Sequence, residues 1–293
     1  MSDYDYIVIG SGSAGSLMAN RLSADPANRV ALIEAGPSDR NWPVNIKTAM
    51  PVGNIFLLPH EKYNWKQSLA GNDAVNNRQI NFPRGKLFGG CSAINGGVYI
   101  RGQKADYDGW ADAGNAGWSH DDVLPAFKAV ENYHGPDQPW HGKGGELDVE
   151  KPKSWNPIAT AIVDAAAQAG HHRNADFAGE RQDGFGRYDL NQRNGTRLSS
   201  ARAFLHPALR RENLTVLDET MVRRILFDRG RASGIEVEKD GARRILTARC
   251  EIILCAGATN SPQLLMLSGI GPQDHLRDMG IDLVHHLPGV GQH

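Results

Sequence analysis

The chain has 293 residues, 32 basic and 33 acidic side chains, three cysteines and 40% hydrophobic residues. This composition is typical of a globular protein and argues against a disordered chain, a nucleic-acid-binding surface and a disulfide scaffold. No apolar run reaches the ~18 residues that span a bilayer, and the acidic N-terminus lacks the pattern of a signal peptide. We therefore expect a cytoplasmic protein, for which peripheral contact with the inner membrane face stays open.

The first forty residues predict a strand, a glycine turn, a helix and a second strand. The apolar runs at 6–9 and 29–33 are typical of buried parallel strands. Between them lie a G-x-G-x-x-G sequence at 10–15 and helix-forming residues up to Leu22. This order is typical of a dinucleotide-binding βαβ unit.

The glycine turn has a specific function in such a unit. Gly10 permits the tight turn, Gly12 lets a pyrophosphate approach the backbone, and Gly15 lets the helix pack closely on the strand. Ser13 and Ala14 begin the helix, whose N–H groups and dipole attract phosphate. The turn therefore predicts a pyrophosphate site.

A carboxylate follows the second predicted strand. Glu34, with Ala35 after it, lies 19 residues beyond Gly15, where its side chain can accept both hydroxyls of an adenosine ribose. A carboxylate there disfavours a 2′-phosphate, so NADP is not expected. The motif alone does not distinguish FAD from NAD.

Between residues 38 and 170 the sequence predicts irregular segments, a glycine-rich segment and helices. Residues 38–80 are irregular, and residues 105–133 have a helical pattern with Ser119 as N-cap. Residues 83–102 combine many small residues with interleaved aliphatic residues and with two cations near the start, Arg84 and Lys86. An alanine-rich helix is expected at 157–170. The small residues of 83–102 predict backbone in close contact with a large anionic ligand.

From residue 213 the pattern becomes that of a β-meander. Strands are expected at 214–217, 221–227, 233–238 and 244–248, with turns at Arg229-Gly230 and Asp240-Gly241. A further buried strand is expected from Glu251, followed by a small-residue turn at Ala256 and Gly257. A helix is expected to begin at Ser261-Pro262.

Two other kinds of chemistry are not indicated. The histidines and cysteines occur in no H-E-x-x-H or C-x-x-C context, so no metal site is expected. The G-x-S-x-G sequence of serine hydrolases is also absent.

Three blocks of sequence resemble the glucose–methanol–choline (GMC) family of flavoprotein oxidoreductases, most closely its choline dehydrogenase-like and alcohol dehydrogenase members. The blocks are the glycine turn with Glu34, the segment 83–102 and the segment 257–271. The resemblance implies an α/β fold: a Rossmann-like FAD-binding domain, with a parallel sheet and a β-meander, and the beginning of an interleaved substrate domain. It implies FAD-binding segments at 1–150 and 213–293 and the start of a substrate-binding domain at 151–212.

The resemblance also implies FAD as the cofactor. Its expected contacts are Gly10, Gly12, Ser13, Ala14, Gly15, Glu34, Ala35, Gly89, Gly90, Ser92, Asn95, Gly96, Val98, Val222, Ala256 and Gly257. Some relatives carry a histidine bonded covalently to the flavin at the position of Ile94. Because isoleucine cannot form that bond, we expect non-covalent FAD.

The family chemistry is oxidation of a primary alcohol to an aldehyde by hydride transfer to flavin N5, with a quinone-like compound or oxygen as electron acceptor. The family's catalytic histidine is expected beyond residue 293, so we expect no catalytic residue in this chain and no activity of the chain alone. Two alternatives are a hydroxynitrile lyase-type member and a non-catalytic flavin-binding module.

Overall fold

The computed structural model describes residues 2–292, which form two compact units. Unit 1 comprises residues 2–48, 53–94 and 200–292, and unit 2 comprises Ala49–Val52 and Asn95–Ser199. Each unit is thus assembled from separate segments of the sequence. The assignment of residues 1–150 and 213–293 to FAD binding and of 151–212 to substrate binding stays a prediction.

The helices are mostly short, and none within residues 2–292 has the length and apolar character needed to cross a bilayer. In chain order they are α1 (Ser13–Leu22), α2 (Val44–Ala49), α3 (Asn54–Leu57), α4 (Lys104–Asp112), α5 (His120–Val130), α6 (Pro157–Gln168), α7 (His206–Ala208), α8 (Gly257–Leu267) and α9 (Gln273–Asp278). Single 3-10 turns cover Asp73–Val75 and Gly90–Ala93, and a π-helical turn covers Ala201–Leu205.

The strands range from two to thirteen residues. In chain order they are β1 (Tyr4–Ile9), β2 (Val30–Ile33), β3 (Gln67–Leu69), β4 (Ile80–Phe82), β5 (Val98–Tyr99), β6 (Glu131–Tyr133), β7 (Leu147–Glu150), β8 (Asp189–Arg193), β9 (Thr196–Arg197), β10 (Leu214–Leu217), β11 (Met221–Asp228), β12 (Arg231–Lys239), β13 (Ala242–Leu254), β14 (Ile270–Gly271) and β15 (His285–His286).

A six-stranded sheet in the order β10-β2-β1-β13-β12-β11 is the centre of unit 1. The first four strands of that order run parallel, and β13, β12 and β11 form an antiparallel meander. The expected α/β fold with a parallel sheet and a meander is therefore confirmed.

The long strand β13 belongs to both parts of this sheet. Its first half pairs antiparallel with β12, and its second half pairs parallel with β1. The sequence pattern predicts two strands here, at 244–248 and from Glu251, and that prediction is wrong. No glycine or proline interrupts 242–254, and Arg249 in the middle donates from Nε to Oδ1 of Asp5 at 2.7 Å. The backbone therefore stays extended throughout.

The two faces of the parallel strands are buried by different partners. Ile7 and Ile9 of β1 face an apolar cluster that includes Leu264 of α8. Val8, between them, faces the cluster that includes Ala19 of α1 and Leu205. This alternation follows from the two-residue period of a strand. Both faces of β1 are buried, as its continuous apolar run predicted.

The helical stretch expected at 105–133 is correct only in part. It is divided into α4 and α5, and Ser119 is the N-cap of α5 as expected. Gly114 and Gly117 lie between the helices with φ of +97° and +83°, a conformation that interrupts a helix. The last three residues, 131–133, are the strand β6, which pairs in parallel with β7.

Unit 2 contains a five-stranded sheet in which β5, β8, β7 and β6 lie side by side and β9 pairs with β8. Beside it lies a buried charge network. Oε2 of Glu131 accepts a hydrogen bond from Nη2 of Arg101 at 2.8 Å. The ring of His141 has Nδ1 2.9 Å from Oε1 of Glu131 and Nε2 2.9 Å from Oδ2 of Asp176. Both ring nitrogens thus face carboxylates.

This geometry favours the protonated imidazole. Burial by itself would lower the pKa of His141, but the hydrogen bonds to Asp176 and Glu131 outweigh burial and raise the pKa to about 9. The ring also stacks on Tyr133 with 3.6 Å between centroids. His141 therefore holds two carboxylates of unit 2 together as a buried cation.

We predict that this network makes stability depend on pH. The folded pKa of His141 lies above the unfolded value of 6.5, so its stabilisation is complete below about pH 6.5 and is lost as the pH rises through about 9. The free energy of unfolding in urea should fall over this range in the wild type and fall less in His141→Gln. His172→Gln changes an exposed histidine of the same unit, and its free energy of unfolding should fall with pH as much as that of the wild type. An equal fall with pH in all three proteins would contradict the prediction.

Candidate functional site: a cavity at the carboxyl edge of the parallel sheet

The carboxyl ends of β1, β2 and β13 meet at one edge of the unit 1 sheet and line a cavity of about 630 Å³. The first turns of α1 and α8, the start of β11 and residues of the segment 84–91 complete its lining. The residues expected from the sequence that line this cavity are Gly10, Gly12, Ser13, Ala14, Glu34, Ala35, Gly90, Val222, Ala256 and Gly257. The structure therefore brings together residues from both ends of the chain. Their contact with a cofactor stays a prediction.

The glycines of the first turn differ in the space around them: two are packed against backbone, and one borders the cavity. Gly10 has φ of +95°, and a β-carbon there would lie 2.5 Å from the carbonyl oxygen of Cys255. A β-carbon at Gly15 would overlap the carbonyl oxygen of Gly10. At Gly12, in contrast, a β-carbon would have no neighbour closer than Cα of Gly90 at 4.0 Å. Gly15 is thus required for packing, and Gly12 leaves backbone open to the cavity.

Glu34 is a buried carboxylate held by hydrogen-bond donors, with 7% of its surface exposed. Oε2 accepts from the backbone N–H and the hydroxyl of Ser11 at 2.9 and 2.8 Å, and Oε1 accepts from the N–H of Gly36 at 2.9 Å. Burial raises the pKa of Glu34, although the bonds from Ser11 and Gly36 oppose that effect. No cation among residues 2–292 pairs with it, so the group can accept further hydroxyl donors.

The second glycine-rich segment packs against the first turn. Gly89 and Gly90 have φ of +87° and +51°, and a β-carbon at Gly90 would lie 2.9 Å from Cα of Gly12. Ser92 does not line the cavity. Its hydroxyl donates to the carbonyl oxygen of Gly89 at 2.6 Å and lies 2.9 Å from Oγ of Ser200. Ser92 and Gly89 thus hold the loop that presents Gly90.

Three other expected contacts, Asn95, Gly96 and Val98, belong to unit 2. Oδ1 of Asn95 accepts from Nη1 of Arg197 and from the N–H of Gly97, both at 2.9 Å. Its role toward a cofactor stays a prediction.

The cavity is also lined by residues that were not among the expected cofactor contacts. Trp65 and Arg84 line it, and the backbone N–H of Trp65 donates to the carbonyl oxygen of Arg84 at 2.9 Å, which holds these two segments together. Thr259 and Asn260 line it because α8 begins at Gly257. The expected start at Ser261 is wrong: Pro262 lies inside the helix rather than in its first turn. No periodic signal indicated these positions, since their proximity depends on pairing between distant segments.

This arrangement defines a class of protein. A strand, a glycine turn, a helix N-terminus and a carboxylate at the end of the neighbouring strand form a dinucleotide-binding site. Residues 4–292 match the family model described as GMC oxidoreductase. The chain therefore belongs to the GMC oxidoreductase family, as its motifs indicated.

Several known proteins are similar to this chain. The oxygen-dependent choline dehydrogenases of Sinorhizobium medicae and Brucella ovis are 43% and 44% identical over 288 residues, which cover 98% of this chain and 52% of each relative. The crystal structure of pyridoxine 4-oxidase from Mesorbium loti has 35% identity and a TM-score of 0.92, and the match covers 98% of this chain and 56% of that one. An FAD-dependent oxidoreductase from Chaetomium thermophilum has 29% identity and a TM-score of 0.90, with 98% and 51% covered. The chain thus spans about half the length of the relatives it matches.

We predict opposite outcomes for alanine at two glycines of the first turn. Gly15→Ala should lower the melting temperature, because its β-carbon overlaps the Gly10 carbonyl oxygen and overpacking costs about 1–3 kcal/mol. Gly12→Ala should melt within about 2 °C of the wild type, since its φ of −68° suits alanine and its β-carbon meets open space. It should nevertheless weaken dinucleotide binding about tenfold or more, measured by titration of the apoprotein. A Gly12→Ala protein that binds as the wild type does would contradict this assignment.

Proposed function

We propose that this chain is the FAD-binding part of a choline dehydrogenase-like oxidoreductase that oxidises a primary alcohol to an aldehyde. FAD is the cofactor that the GMC family and the FAD-dependent relative support. The observation that carries the proposal is the placement of Glu34: a buried carboxylate, held by hydrogen bonds and not by a cation, lines the same cavity as the open backbone of Gly12. The carboxylate of Glu34 suits a ribose diol, and the backbone at Gly12 suits a pyrophosphate.

The chain's residues fit this cofactor in three ways. The first turn of α1 has no acidic residue, so its N–H groups and positive dipole end can hold the pyrophosphate through Gly12, Ser13 and Ala14. Glu34 can accept the ribose hydroxyls, and Val222 at the start of β11 can contact adenine through its backbone. Gly257 has open space where a β-carbon would be, so its backbone can approach the cofactor closely.

Bound FAD supplies the acceptor for two electrons and a proton from the alcohol. The residues of this chain would bind and orient it. We propose that the histidine that takes the hydroxyl proton lies outside this chain, in a part that the matched relatives have in addition. A quinone-like compound or oxygen is the proposed electron acceptor, and choline is the first alcohol to test because the relatives are named for it.

The three cysteines are unpaired, which supports the proposed cytoplasmic location.

We predict that Glu34→Gln weakens FAD binding about 10- to 100-fold, because a charge-assisted hydrogen bond to ribose is replaced by a neutral one. Fluorescence titration of the apoprotein measures this change. Glu251→Gln alters an exposed glutamate and should leave the affinity unchanged. A wild-type protein that takes up no FAD would overturn the proposed function.

The reaction type has a separate test in a full-length protein. Bleaching of the bound flavin by a primary alcohol would identify a dehydrogenase, whereas a hydroxynitrile lyase-type enzyme or a passive flavin carrier would show no bleaching.

We also predict that FAD is bound without a covalent bond. Ile94 is buried in an apolar cluster with Val44, Leu57, Leu87 and Ala93, and its side chain offers no nucleophile. Denaturation should release all the flavin, and mass spectrometry of the denatured chain should show 31.9 kDa with no added flavin. A flavin adduct on the chain would contradict the prediction.

A further inference from the structure

Three polar side chains beside the cavity form a hydrogen-bond chain that the proposed ribose and pyrophosphate contacts do not use. The hydroxyl of Thr259 donates to Oε1 of Gln67 at 3.0 Å. Nε2 of Gln67 donates to Oδ1 of Asn260 at 2.7 Å. Gln67 lies on β3, whereas Thr259 and Asn260 lie in the first turn of α8. The bonds therefore join segments more than 190 residues apart in sequence.

The direction of these bonds determines how the amide of Asn260 is presented. In the structure, the amide oxygen of Gln67 faces the hydroxyl of Thr259, and its NH₂ group faces Oδ1 of Asn260. Oδ1 of Asn260 is occupied by Gln67 and lies 3.5 Å from the hydroxyl of Thr259. No acceptor among residues 2–292 takes a proton from the NH₂ group of Asn260. That group is thus the part of the side chain available to a ligand.

Asn260 lies on the side of α8 that lines the cavity. Gly257, Asn260, Leu264 and Leu267 recur at helical spacing, and all four line the cavity. Thr259 also lines it, but Gln67 does not. Gln67 is half-buried and holds Asn260 from outside the cavity.

We propose that Asn260 donates a hydrogen bond from its NH₂ group to the bound dinucleotide and that Gln67 is a positioning residue that sets the orientation of this amide. The inference rests on the proposed function, because the acceptor is an oxygen or a ring nitrogen of FAD. Gln67 makes no contact with FAD itself. It acts by removing the alternative orientation in which Asn260 would present its oxygen.

A double-mutant cycle tests this relation. Asn260→Ala should weaken FAD binding about fivefold to tenfold and Gln67→Ala about threefold, measured by fluorescence titration of the apo full chain. In the Asn260→Ala background, Gln67→Ala should have no further effect, because Gln67 acts only through Asn260. Losses that multiply in the double variant would overturn the proposal, since they would show that Gln67 acts independently.

The direction of the hydrogen bond has its own test. Asn260→Asp replaces the NH₂ group by a carboxylate oxygen, which cannot donate and which repels the acceptor. It should bind FAD more weakly than Asn260→Ala does. Gln67→Glu keeps an acceptor for Thr259 but loses the donor to Asn260, so it should reproduce the effect of Gln67→Ala. An Asn260→Asp protein that binds as tightly as the wild type would overturn the proposal.

Two controls separate binding from folding. Asn81→Ala removes an exposed amide from β4, the strand that pairs with β3, and should leave FAD affinity unchanged. The Gln67 and Asn260 variants should melt within about 2 °C of the wild type. A wild-type protein that binds no FAD would refute the proposed function, whereas wild-type binding without any loss in these variants would refute this inference alone. Titration with ADP and with FMN, the two halves of FAD, should show weaker binding by the Gln67 and Asn260 variants for the half that accepts the hydrogen bond from Asn260. Variants that bind both ADP and FMN as tightly as the wild type does would also refute this inference.

Discussion

The parallel pairing of β1 between β2 and β13 is the interaction on which the rest of unit 1 depends. Ile9 at the end of β1 lies opposite Ile33 of β2 and Leu254 of β13. Gly10 donates its N–H to the carbonyl oxygen of Ile33, and Cys255 donates to that of Ile9, both at 2.8 Å. Because all three strands run in the same direction, the residues that follow them meet at one edge of the sheet. The glycine turn, Glu34 and the start of α8 are neighbours for this reason.

The close approach of these backbones also decides which side chains the site tolerates. Gly10 and Gly15 have no space for a β-carbon, whereas Gly12 has space on the side of the cavity. The three glycines of the motif therefore differ in physical function. Two allow strand, turn and helix to pack, and one keeps the backbone accessible to a ligand.

Burial of Glu34 is the main electrostatic constraint on this edge. A carboxylate removed from water is costly unless hydrogen bonds compensate it, and the donors are Ser11 and Gly36, which flank the glycine turn and the end of β2. The same donors hold the carboxylate toward the cavity. These three hydrogen bonds offset part of the cost of burial, although burial still raises the pKa of Glu34. Because the donors are N–H and hydroxyl groups and not a cation, the carboxylate can accept further hydroxyl groups.

The sequence by itself determined the features that depend on local physics. Continuous apolar runs predicted β1 and β2, the Arg229-Gly230 and Asp240-Gly241 turns predicted the meander, and the glycine spacing with Glu34 predicted the cofactor edge. Tertiary structure decided the features that depend on partners distant in sequence: the continuity of β13 through Arg249, the start of α8 at Gly257, and the hydrogen bonds of Ser11, Gln67 and Asn260. The physical reason is that propensity and periodicity act over a few residues. A hydrogen bond between Gln67 and Asn260 exists only because the folded sheet brings their segments together.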